Sequence, residues 1–152
     1  MTQAFLPRSW LVAFCRYILV IAIGNLVWEA VQLPLYTIWV AGSWSQIGLA
    51  WGHCTLGDVL IGAGALLGAL MLCRMPKWPI SGHPRMTAAV VILAVIYTIF
   101  SEWLNVEVRH SWAYRDIMPT LPWLGTGLSP VLQWIVVPLL ALQYAQSANE
   151  NR

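Results

Sequence analysis

The sequence predicts an all-α, polytopic membrane protein with four transmembrane helices, and three observations support that fold class. Only 9% of the 152 residues are charged and 59% are hydrophobic, whereas a soluble domain carries about 25% charged residues on its surface. Mean hydropathy is +0.68. The apolar residues fall in blocks long enough for a helix to cross a hydrocarbon core of ~30 Å, which takes roughly 17–25 residues. Three Cys are an odd and sparse set for a disulfide scaffold, and so much apolar surface excludes a disordered chain. Without repeats or linkers, residues 1–152 read as a single domain.

The spans are expected at about 10–33, 56–73, 86–104 and 128–144. The first is too long for a signal peptide and contains Arg16, so it is read as a retained helix. The second carries Gly57, Gly64 and Gly68, with Ala65 and Ala69, a small-residue spacing that lets another helix approach. The fourth opens on Ser129-Pro130, a cap residue followed by proline at the first helical position. Pro138 then frees the carbonyl of Trp134 and predicts a kink.

Orientation follows the basic residues. Arg8, Arg16, Arg74, Lys77, Arg85 and Arg152 gather at one end of the bundle, against Arg109 and Arg115 at the other. Both termini are therefore expected inside (N-in/C-in) in a cell inner membrane, with the connections at about 34–55 and 105–127 outside. Those connections hold Trp39, Trp44, Trp51, Trp112 and Trp123, and Trp28, Trp103 and Trp134 lie just inside the outer helix ends. Indole rings favour the headgroup level, so these are read as interfacial anchors in contact with membrane lipid.

Polar residues within spans are expensive and mark function by default. Asn25, Glu29 and Gln32 share one face of helix 1 by their i, i+4, i+7 spacing. Helix 3 carries Thr98, Glu102, Asn105, Arg109 and Trp112 at similar spacing, provided it continues outward. Asp58 and Gln133 add polar groups from helices 2 and 4, with Asp58 placed to pair with His53. The inner half is apolar from Gly62 to Cys73 apart from a thiol, and wholly so from Ala88 to Ile96. A conduction path needs polar steps across the whole bilayer, whereas a pocket needs them at one end. The pattern therefore predicts an outward-facing polar pocket.

A carboxyl moved into an apolar pocket can serve as a general acid, and two of them can divide acid and base roles. Glu29, Glu102 and Asp58 are the catalytic candidates, with Asn25, Gln32, Asn105, Arg109, Trp112, Tyr114 and Gln133 as substrate-binding candidates. The competing reading is structural: buried carboxyls hydrogen-bonded to fix helix register. Arg109 is read as pairing with Glu107, Glu102 or Asp116, or as binding an anionic headgroup. His53 and His110 are weak metal or haem candidates, because no H-x-x-x-H or E-x-x-H spacing accompanies them. His83 is read as a solvated loop residue. No motif names a cofactor.

The segment from Trp112 to Gln133 is broken by Pro119, Pro122, Gly125 and Gly127, and its aromatic residues suit an ordered lid on which Tyr114, Arg115 and Asp116 close over the polar cluster. An acid in a span, then W-x-Y, prolines and Gln133-Trp134 in the next span is similar, over a minor part of the chain, to small membrane enzymes of carotenoid metabolism. That resemblance implies a lipid-soluble substrate. The expected function is acid–base chemistry on such a molecule. Its rivals are an accessory subunit bound to a membrane-protein partner, and transport by a homo-oligomer with Tyr17, Tyr97 and Thr98 on a shared axis. The +2 net charge is accounted for by topology signals, so no nucleic-acid partner is expected.

Overall fold

The computed structural model describes residues 8–75, 78–79 and 84–147; Lys77, His83 and Arg152 lie outside these residues. Among the described residues there are helices and two isolated β-bridges but no strand. Helix α1 runs Arg8–Gln32, followed by a 3-10 turn Leu33–Leu35 and a short α2, Ile38–Ala41. Then come α3 (Trp44–Cys73), α4 (Pro84–Trp103) and α5 (Leu128–Ser147). Helices α1, α3, α4 and α5 are each long and apolar enough to cross a membrane.

These four pack as a ring in which α1 touches α3 and α5, and α4 touches the same two. Neighbours run antiparallel. Arg16, early in α1, lies over the ring of Tyr144, late in α5, at 5.2 Å. At the opposite end, Trp28 of α1 donates to Ser129 of α5 at 3.2 Å. The half nearer the start of α1 and the end of α5 is closed by Tyr17, Leu66, Met86, Val90, Ala94 and Leu142, all buried. Tyr17 donates to the carbonyl of Gly62 at 3.1 Å, which satisfies the one hydroxyl in that core. Tyr17 and Thr98 are thus turned inward and do not line an outer axis between copies.

Seven of the eight span ends lie within three residues of expectation, but α3 begins twelve residues early. Ser43 caps it: its hydroxyl accepts from the Gln46 backbone at 3.3 Å, while the Gln46 side chain accepts from the Ser43 backbone at 2.8 Å. This capping box satisfies two end groups at once and starts the helix in a glycine-containing stretch. Trp44 and Trp51 therefore belong to a helix and not to a connection. The interfacial reading fails for Trp134, which is buried. Trp28 bonds Ser129, and Trp51 donates to the Leu26 carbonyl at 2.9 Å, so both rings also tie helices together. Trp44 and Trp123 remain fully open.

The expected small-residue stripe is used only in part: Ala65 and Ala69 are buried, and a Cβ on Gly68 would lie 3.3 Å from Leu93 Cδ1 of α4. A Cβ on Gly57 or Gly64 would meet nothing within 4 Å. At Gly24 it would lie 2.8 Å from Val137 Cγ1, and at Gly62 it would lie 2.8 Å from Ile21 Cγ2. Those two positions bring α5 and α3 against α1. Ser129 does not cap α5 either; it lies in the first turn and its hydroxyl donates to Gln32 at 2.8 Å. Pro138 is buried inside α5 and leaves the Trp134 carbonyl without its helical donor.

Candidate functional site

Because the ring is tight at Gly24 and Gly62, its other end opens into a cavity of about 350 Å³ between the four helices. Glu29 of α1, Asp58 of α3 and Glu102 of α4 all line it, with Gln32, Asn105, Arg109, Trp112 and Gln133. Seven-residue and four-residue spacings on three separate helices thus bring their polar faces to one depth.

At the base, Gln133 crosses the bundle. Its Nε2 lies 2.9 Å from Asn25 Oδ1, 3.2 Å from Glu29 Oε1 and 3.0 Å from Asp58 Oδ2. Gln32 Nε2 donates to the same Glu29 oxygen at 2.7 Å and to Gln133 Oε1 at 3.1 Å. Trp28 and Ser129 feed Gln32 in turn, so the relay from Trp28 leads to Glu29 and Asp58, with one branch to Asn25. The Glu29 and Asp58 carboxyls, from α1 and α3, thus meet at one amide nitrogen. Asp58 does not pair with His53, which is exposed on the rim of the cavity. Asn25 lies beneath the cavity, with its Nδ2 buried and unpartnered.

The second acid is held from outside. Tyr114 donates its hydroxyl to Glu102 Oε2, and the Gly127 backbone N–H donates to the same phenol oxygen at 3.0 Å. The Trp112 indole faces Glu102 without closing a full hydrogen bond. The Tyr36 ring packs on Tyr114 at 5.5 Å, and Tyr36 lines the same cavity as Glu102. Burial, reinforced by the charge of Glu102, pushes both phenols above their ordinary value.

The lid forms as an ordered strap. Thr37 N donates to Ala113 O and Arg115 N donates to Leu35 O, both at 2.9 Å. Arg115 closes on the Pro34 carbonyl at 2.7 Å and not on the acids, and Asp116 is exposed. Of the three expected closing residues only Tyr114 reaches the cluster, and it does so without lining the main cavity.

Helix α4 does not simply continue. Leu104–Val108 form a π-turn in which Arg109 N bonds Leu104 O at 2.8 Å. This wider turn puts Asn105 and Arg109 on the cavity wall and rim, and such turns are frequent at functional sites. Arg109 is exposed and, among the described residues, forms no ion pair with Glu102, Glu107 or Asp116. His110 lies away from the cavity with Nδ1 2.9 Å from the Val106 carbonyl. Among the described residues no three His, Cys, Asp or Glu side chains group as a ligand set for a metal ion.

Sequence reasoning missed Tyr36 and the Trp28–Ser129 relay. Tyr36 extends the spacing of Asn25, Glu29 and Gln32 by four residues, a signal hidden by the intervening Pro34. Compared with known protein families, curated proteins and solved structures, the chain gives no match.

Proposed function

We propose that the cavity binds a lipid-soluble molecule and carries out acid–base chemistry on it. The carrying observation is that three carboxyls, from three different helices, line one cavity and are held by amides and a phenol. Glu29 and Asp58, which meet at the Gln133 amide, would divide the roles of proton donor and proton acceptor. Glu102, fixed by Tyr114, stands apart as an acceptor or charge stabiliser. The polar groups end within the membrane-spanning helices, which favours a substrate that arrives through the bilayer. We also read the chain as N-in/C-in in an inner membrane, on the distribution of its basic residues.

The test is a comparison of lipid extracts from cells producing the native chain, Glu102→Gln, and the Glu29→Gln/Glu102→Gln pair. A lipid species altered by the native chain should return to its starting level with either variant while protein amounts stay equal. An unchanged lipid difference in the double variant overturns the proposal. A protein that co-purifies in equal amount, and is lost on altering Gln133, would instead identify an assembly subunit.

A further inference from the structure

We propose that the ligand of this cavity is an amine-bearing amphiphile whose ammonium group sits among Glu29, Asp58 and Glu102. This rests on the reading of the cavity as a ligand site and adds the chemical class.

Both amide N–H groups of Gln32, and those of Gln133, are already committed to acceptors inside the network. What the floor offers an incoming group is therefore mostly acceptor oxygen. Around it stand Tyr36, Tyr97, Trp112 and Trp134, and aromatic faces attract a cation within ~6 Å of the ring. Thr98 also lines the cavity; it is 5% exposed, and its buried hydroxyl has no partner, which leaves it for a ligand atom.

An anionic head would meet three carboxyls in a poorly hydrated space, at a steep desolvation cost. Arg109 is exposed on the rim, seven residues past Glu102, where solvent weakens its field. A bare metal ion lacks a close ligand set among the described residues, whereas an ammonium bonds to several acceptors at once without fixed coordination. The volume of about 350 Å³ suits a small head with the start of a chain.

Cys54 lines the cavity, whereas Cys15 and Cys73 do not, so the native chain carries its own reporter. In nanodiscs, alkylation of each cysteine by N-ethylmaleimide is followed by peptide mass spectrometry. Octylammonium, octanol and octanoate are compared at equal concentration, and native mass spectrometry counts bound amphiphile. Octylammonium should bind once per chain and slow Cys54 several-fold while sparing Cys15 and Cys73. Equal binding of octanol or octanoate, or no binding of octylammonium, overturns the proposal. If the lipid-extract difference persists while the amine preference fails, the ligand class is wrong and the acid–base reading stands. If the difference itself survives in the double carboxyl variant, that reading falls instead.

Discussion

Gln133 joins more of the site than any one of the acids does. Its single amide nitrogen faces three acceptors on two helices with only two hydrogens to give. Gln133→Met, which keeps the length, strips Asn25, Glu29 and Asp58 of that donor. Each buried acceptor left without a donor costs about 1–3 kcal/mol, so a clear fall in the detergent melting temperature is expected. A melting curve superimposable on the native one would show the network to be slack. Tyr36 and Tyr114 give a pH signature. Their folded values are raised above the ordinary 10.0, so the stability they add is complete below about pH 10. It is lost as pH climbs past that point toward the raised values. Phenolate absorbance should show both titrating late, and Tyr114→Phe should remove one late step and loosen the strap between residues 109 and 127. The stripe of Asn25, Glu29 and Gln32 was legible from helical spacing alone. The tie from Gln133 to Asp58 was not, because it crosses a diagonal of the bundle, and no spacing within one helix records which helices face each other.

At the level of elements, the four spans could be read because each is a long apolar run, and long runs survive errors of a few residues. The start of α3 was missed although Ser43 and Gln46 spell a capping box, because Gly48, Gly52 and His53 dilute the hydropathy that follows. The glycines misled for a related reason. Periodicity finds a stripe of small residues, but only packing shows which one meets a neighbour. Gly62→Ala should cost about 1–3 kcal/mol through overpacking against Ile21, whereas Gly64→Ala, with nothing within 4 Å, should leave the melting temperature unchanged. Gly57 is also open but borders the cavity. Gly57→Leu should therefore keep the melting temperature and abolish ligand binding, as read by native mass spectrometry. The opposite pattern would move the site elsewhere.

For the whole molecule, antiparallel helices put the start of α1 and the end of α5 away from the cavity. Single-cysteine chains in a background lacking the native thiols test how this frame sits in a cell. Thr120→Cys, on the strap, should react with a membrane-impermeant maleimide in intact cells, and Ser147→Cys only after lysis. The reverse pattern would put the cavity on the cytoplasmic side. Whichever way the bundle faces, its halves differ in kind: one is threaded with donors that converge on the carboxyls and Asn25, and the other is sealed by Tyr17, Leu66, Met86, Val90, Ala94 and Leu142. A charge that crosses a bilayer completely does work of ~2.3 kcal/mol per 100 mV, but among the described residues no polar relay leads a proton through the sealed half. On the proposed acid–base reading, a proton borrowed at the cavity goes back through the mouth by which it came. The chemistry should then be electrically silent, running at the same rate in energised vesicles and in vesicles collapsed with an ionophore.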